Sequence, residues 1–197
     1  MRITVFGAFG SVGRRVVEEA RRRGHDVTPV SRRPGPGSEV GDARVVADVV
    51  RLSAGRDLVI SATRPADGQE GELVEATRGL LAGVAETGVR LLAVGGAATL
   101  VTPEGHTVEE APDFPDVLKP IARACAEQLA VYRADPVADW TYLSPPAVLE
   151  PGERTGVFRV GGDEQVGSTI SVEDLAVALL DEAETPKHQR MRFTVGY

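Results

Sequence analysis

Ile3-Thr4-Val5-Phe6 is a β-branched and aromatic run that breaks into three glycines, Gly7, Gly10 and Gly13, and passes at once into a helical pattern in which Val12, Val16, Val17 and Ala20 share one face. A strand, a glycine turn and a helix in that order constrain the fold more than any other feature of the chain. They bring a helix N-terminus, with its free N–H groups and the positive end of its dipole, against an anion such as a phosphate. Gly7 suits the tight turn, Gly10 lets the backbone approach a pyrophosphate, and Gly13 lets the helix lie close to the strand. Phe9, Ser11 and Val12 supply further N–H groups or line the site. The spacing is G-x-x-G-x-x-G rather than G-x-G-x-x-G, so the glycines gain their meaning from the strand before them, the helix after them and a second strand from Asp26 to Val30. A plain glycine-rich β–α turn without a ligand is the alternative.

Apolar runs and amphipathic helices alternate along the rest of the chain, the pattern of a parallel sheet built from βα repeats. Strands are expected near 2–6, 26–30, 43–47, 57–61, 90–94 and 139–143, and helices near 11–23, 69–87 and 119–134, with a short helical turn near 49–53. Leu58-Val59-Ile60 and Leu91-Leu92-Ala93-Val94 are continuously apolar, as strands covered on both faces are. Later, Arg154 to Val160 alternates like a strand, Ser171-Val172-Glu173-Asp174 reads as a capping box opening a helix to about Ala183, and Arg192 to Val195 reads as a last short strand. The expected fold is therefore α/β: a single Rossmann-like, doubly wound parallel sheet over residues 1–197, helices on both faces, with a small C-terminal extension on the substrate side. At 197 residues one domain with a substantial core is expected.

Two stretches interrupt the rhythm. Residues 99–119 hold Pro103, Pro112 and Pro115 and the acids Glu104, Glu109, Glu110, Asp113 and Asp116, and a long irregular segment following the fifth strand reads as a wall or lid for a substrate. The second is Ser144 to Glu153, and residues 144–185 complete the expected substrate side.

The end of the second strand decides between nicotinamide nucleotides. An NAD site places a carboxylate there for the ribose 2′-hydroxyl. Here the chain reads Val30-Ser31-Arg32-Arg33-Pro34, with two arginines that suit a 2′-phosphate and a serine hydroxyl beside them. NADP(H) is expected over NAD(H), the alternative being two solvated loop arginines. Asp48 and Val49, after the expected third strand, are candidates for the adenine amino group and ring face, with helix capping by Asp48 equally open. Ala62 and Thr63 end the fourth strand near the phosphates and nicotinamide ribose. Gly95-Gly96-Ala97 ends the fifth, where small residues would admit the nicotinamide. Pro145 and Pro146 end the sixth, where they would meet its ring.

The motifs Gly7-Ala8-Phe9-Gly10-Ser11-Val12-Gly13, Ser31-Arg32-Arg33, Gly95-Gly96-Ala97, Asp139-Trp140-Thr141 with Ser144-Pro145-Pro146, Arg154-Thr155-Gly156 and Ile170-Ser171-Val172-Glu173-Asp174-Leu175-Ala176 resemble the atypical short-chain dehydrogenase/reductase superfamily. Within it the chain is most similar to the NAD(P)H-binding flavin reductase and biliverdin-IXβ reductase-like subgroup. The resemblance spans essentially the whole chain and implies a Rossmann-type fold, a nicotinamide nucleotide, and a substrate pocket built by the loops after the fifth and sixth strands. The expected reaction is NADPH-dependent reduction of a flavin or similar planar, electron-poor molecule, with FMN or FAD as substrate rather than prosthetic group. One departure is plain. The superfamily's Tyr-x-x-x-Lys pair is absent, and Lys119 and Arg123 stand at its positions. With His106 they are the weak catalytic candidates. The missing pair also fits a non-catalytic NADP-binding sensor, and a metabolite-tailoring epimerase, dehydratase or ketoreductase is the third reading.

The bulk numbers exclude other classes. A net charge of −7 argues against a nucleic-acid partner, and no run of about 18 apolar residues suits a membrane. One cysteine, Cys125, on an apolar helix face, excludes an internal disulfide, reads as a buried structural thiol, and fits a cytoplasmic protein. The three histidines lack metal-ligand spacing, so no metal is expected. A small-molecule substrate is the expected partner, and a homo-oligomer is open.

Overall fold

A computed structural model describes residues 1–197. Its centre is an eight-stranded sheet. The strands are β1 (Arg2–Phe6), β2 (Asp26–Ser31), β3 (Glu39–Val40), β4 (Leu58–Ser61), β5 (Arg90–Val94), β6 (Trp140–Ser144), β8 (Arg159–Gly161) and β10 (Met191–Gly196). Their order is β3-β2-β1-β4-β5-β6-β10-β8, all parallel except the last pair. The chain order reverses between β1 and β4, so the carboxyl ends of these strands flank the crevice where ligands of such sheets bind. A separate two-stranded parallel sheet joins β7 (Val148–Glu150) to β9 (Thr169–Ser171).

Side chains alternate across the sheet and sort into two cores. Leu58 and Ile60 of β4 join Ile3, Val5, Leu92 and Leu143 under α1 (Ser11–Arg22) and α5 (Val172–Glu184). Val59 between them joins Leu91, Ala93 and Tyr142 on the opposite face, beneath α2 (Val46–Ser53), α3 (Gly71–Thr87) and α4 (Lys119–Ala134). The doubly wound expectation holds.

Residues 43–47 do not form a strand. Val46 opens α2, whose Val49 and Leu52 face the core, and the third strand is only Glu39–Val40. A short apolar run fits either period, and here burial on α3 decides it. Arg154–Val160 is likewise not a strand along its length. Side-chain bonds hold its first half: Arg154 to Glu19, and Thr155 and Gly156 to Asp174. Only Arg159 and Val160 enter the sheet, through β8. Ser171 caps α5 by accepting the Asp174 N–H at 3.0 Å, but the reciprocal half of the capping box is not made; Asp174 turns to Thr155, Gly156 and the Tyr197 hydroxyl. Residues 99–119 carry two single turns of 3₁₀ helix, at Val108–Glu110 and Asp116–Leu118, and an isolated bridge of Val101 to Thr107.

Candidate active site

The glycine turn is shaped by contacts no other residue would permit. Gly7 has φ +76°, and a Cβ there would lie 2.5 Å from the Ala62 carbonyl oxygen at the end of β4. A Cβ on Gly13 would stand 2.0 Å from the Gly7 oxygen, so α1 lies directly on the turn. Gly10 differs. It is the N-cap of α1, in extended conformation, with no side-chain cap and no acid in the first turn of the helix. A Cβ on it would meet only the Gly7 oxygen, at 3.4 Å. The space over Gly10 is therefore open toward the cleft, with uncapped helix N–H groups beside it, which suits a pyrophosphate. Gly13 lines neither cavity described below; its part is packing.

Two cavities meet over this turn, both bordered by Gly10, Thr63 and Arg64. The first, about 660 Å³, runs over Gly7 and Phe9 to the end of β2, where Ser31, Arg32 and Arg33 line it. Arg44 joins them from the loop before α2. With Arg64 this makes four guanidinium groups against two carboxylates, Asp42 and Glu72. Glu72 accepts from Arg32 at 3.0 Å and from Arg44 at 2.6 Å. Arg44 also chelates Asp42, and that hydrogen bond holds the Asp42 carboxyl below its ordinary range. Arg33 and Arg64 form no ion pair.

The adenine assignments to Asp48 and Val49 are corrected. Both lie within α2, outside the cavity. Val49 is fully buried in the core, and Asp48 accepts the Asp42 N–H at 3.0 Å and pairs with Arg51. Once 43–45 is a turn leading into α2 rather than a strand, the positions at this edge of the cleft are Gly41, Asp42 and Ala43.

The second cavity, about 480 Å³, is mostly apolar. Ser11, Val12, Ala62, Gly95, Gly96, Ala97 and Pro145 all border it, and Pro146 and Leu149 extend it. Val108, Phe114 and Leu118 of the 99–119 segment form one wall. Ile121, Ala122, Cys125 and Gln128, one face of α4, form another. Burial raises the Cys125 thiol to about 11, so it stays protonated at neutral pH.

None of the three catalytic candidates reaches either cavity. Lys119 and Arg123 lie on the exposed side of α4, and Lys119 pairs with Asp116 at 2.5 Å. His106 turns into its own loop, with Nδ1 2.9 Å from the Thr107 carbonyl oxygen. The face of α4 that meets the cavity repeats every three or four residues from Leu118, which leaves positions 119 and 123 outside.

Gly95 and Gly96 have a role that the sequence did not disclose. A Cβ on Gly95 would fall 1.8 Å from Cζ of Tyr142, and one on Gly96 would fall 2.7 Å from Cys125 Sγ. The Tyr142 ring is buried on the α2–α3–α4 side of the sheet, as core placement requires, but its hydroxyl emerges beneath the glycine pair. It accepts the Gly96 N–H at 3.3 Å and donates to Gln128 Oε1 at 3.0 Å.

A family model described as NAD(P)H-binding matches residues 7–186. The Bacillus subtilis protein YwnB is 38% identical over 208 residues, spanning 99% of this chain and 98% of that protein. Among solved structures, a candidate exported protein from Burkholderia pseudomallei superimposes with a TM-score of 0.92 at 36% identity, covering all of both chains. A candidate epimerase from Bacteroides thetaiotaomicron gives 0.90 at 36% identity, covering all of this chain and 96% of that one. A candidate NADH-flavin reductase from Streptococcus pneumoniae TIGR4 gives 0.89 at 30% identity over 99% and 98% of the two chains.

Proposed function

The chain belongs to the NAD(P)H-binding family, and on that premise we propose that it is an NADPH-dependent reductase of a flat, electron-poor small molecule of flavin or quinone type. The nucleotide's pyrophosphate sits over Gly10 at the N-terminus of α1. Its 2′-phosphate meets Arg32 and Arg33, with Arg44 and Arg64 adding positive charge. Its nicotinamide end enters the apolar cavity by Thr63 and Gly96. A nicotinamide nucleotide supplies a hydride; the chain supplies alignment.

The observation that carries this reading is the lining of the apolar cavity. It holds no carboxylate, histidine or lysine, and its one thiol stays protonated. Reducing an isolated ketone needs an acid for the developing alkoxide. A conjugated ring delocalises the incoming charge and takes its proton from water. The same lining supports a second reading, an NADP-binding sensor without turnover. The tailoring reading loses ground, because it needs a proton-transfer group such as His106 or Lys119 and neither lines the cavity. The single thiol supports a cytoplasmic setting, and no helix is long and apolar enough to cross a membrane.

Following NADPH absorbance with FMN or menadione as acceptor tests the proposal. Acceptor-dependent oxidation, faster with NADPH than NADH at low nucleotide, supports it. Tight NADPH binding with no oxidation by either acceptor favours the sensor.

A further inference from the structure

Glutamine is seldom fully buried, yet Gln128 is 2% exposed in the middle of α4 and borders the apolar cavity. Its Oε1 accepts the Tyr142 hydroxyl at 3.0 Å. Its amide nitrogen has no hydrogen-bond partner in the protein, and it is not among the side-chain atoms sealed from the surface. What little of this residue is accessible therefore includes the amide donor, and the residue borders the cavity. An accessible donor with no protein partner, set in an apolar wall, is free to bond whatever occupies the cavity.

The orientation of the amide is fixed by the groups below it. Gly96 N–H donates to the Tyr142 oxygen at 3.3 Å, which leaves the phenol hydrogen for an acceptor, and Gln128 Oε1 is the nearest one; the Cys125 carbonyl lies at 3.5 Å. Burial holds the Tyr142 phenol well above its ordinary range, so it remains a donor at any physiological pH. With Oε1 occupied, the NH₂ group is what the cavity receives. Gly95 and Gly96 are the condition for this relay, since side chains there would displace the phenol or the Cys125 thiol.

We propose that Gln128 recognises the substrate of this cavity, donating its amide N–H to a ring carbonyl or ring nitrogen of a planar conjugated acceptor, and that Tyr142 is the positioning residue that aims it. The proposal rests on the reductase reading and narrows its substrate class to flat rings bearing a hydrogen-bond acceptor at their inner edge. When hydride adds to such a ring, the electron pair it displaces moves onto that oxygen or nitrogen. Gln128 stabilises the charge there, and a proton from water completes the reduction.

The test uses the full chain saturated with NADP⁺, titrated with FMN and with menadione, alongside steady-state NADPH oxidation. Gln128→Met keeps the volume and removes the donor; Gln128→Glu keeps the shape and reverses the polarity toward an acceptor carbonyl. Both should weaken acceptor binding and raise KM about tenfold, while NADPH affinity stays within about twofold. The carbonyl stretch of bound menadione should rise in Gln128→Met as its hydrogen bond is lost. Tyr142→Phe should give a smaller loss, and adding it to Gln128→Met should cost the acceptor nothing more, because a positioning residue has nothing left to position. Unchanged acceptor affinity and KM in both Gln128 variants, with turnover intact, overturns the assignment and leaves the reductase reading standing. Gln128-dependent acceptor binding without NADPH oxidation supports the assignment and removes the reductase. No binding of FMN or menadione by the unmodified protein overturns both.

Discussion

Arg32 and Glu72 form an ion pair, Nη1 to Oε2 at 3.0 Å, across the cavity at the end of β2. Arg32 is one of the arginines read as selecting a 2′-phosphate, and its partner carries the charge that phosphate would bring. In the proposed complex NADPH would exchange one anion for another, and the proposed nucleotide preference rests on Arg33, Arg44 and Arg64 as well as on Arg32.

Replacing Arg32 by Asp together with Arg33 by Ala should cut NADPH affinity about 30- to 100-fold, the scale of lost hydrogen bonds to a charged group, while NADH affinity changes less than about threefold. Fluorescence titration of both nucleotides checks this. Equal losses would remove the 2′-phosphate assignment.

Glu72→Gln tests the exchange itself. The pairs of Glu72 with Arg32 and Arg44 are partly exposed and contribute little to stability, so the fold should be retained and NADPH affinity should rise a few-fold as the competing carboxylate disappears. A fall in NADPH affinity would show that Glu72 holds Arg32 and Arg44 in place for the phosphate rather than competing with it.

The three glycines of the first turn should separate by experiment. Gly13→Ala forces a methyl to within 2.0 Å of the Gly7 oxygen and should lower stability by about 1–3 kcal/mol or more. Gly10→Ala meets nothing closer than 3.4 Å in a conformation any residue adopts, so the melting temperature should hold within about 2 °C. Its methyl projects where the pyrophosphate is placed, so NADPH binding should fall at least tenfold. Stability and binding lost together at Gly10 would count against that placement.

These glycines also show how far the sequence carried. The tight turn at Gly7 and the close helix approach at Gly13 could be read because they are local events. α3 and α4 were equally local, each a long periodic pattern, as were the arginines after β2. Residues 43–47 failed because Val45-Val46 and Val49-Val50 suit a strand by composition and a helix by spacing, and only packing on α3 selects the helix. Arg44 and Arg64 were missed for a related reason: each becomes part of the cleft only when a loop folds over β2 or β4. The Tyr142–Gln128 bond joins residues 14 apart on a strand and a helix, and neither has a local pattern that announces it.

Glu19 offers a pH test. It is 5% exposed and accepts from Arg154, Arg22 and Arg23, joining α1 to the segment before β8. Hydrogen bonds from Arg154 and then Arg22 hold its carboxyl far below its ordinary range, against the opposing effect of burial. A depressed carboxylate contributes stability that is full above its unfolded pKa of about 4.3 and is lost as pH falls toward the folded value. Glu19→Gln should lower unfolding free energy by about 2–4 kcal/mol at pH 7, and the gap from the unmodified protein should narrow steadily below pH 4.5. Urea unfolding at pH 7, 4 and 3 measures it. A gap that does not change with pH would assign the loss to packing.

Cys125 should react slowly. With its thiol raised to about 11 by burial, alkylation by iodoacetamide at pH 8 should run at least about 100-fold below a free thiol. Labelling as fast as glutathione would place the thiolate, and the cavity wall it belongs to, in a different environment.

The most direct measurement of the central claim is a fluorescence titration of the unmodified protein with NADPH and with NADH in the same buffer. The account predicts saturable binding of both, with NADPH at least tenfold tighter, and competition by NADP⁺ at the same site. NADH bound as tightly as NADPH would contradict the role given to Arg32 and Arg33. Binding of neither would contradict the reading of the cleft over Gly10 as a nucleotide site.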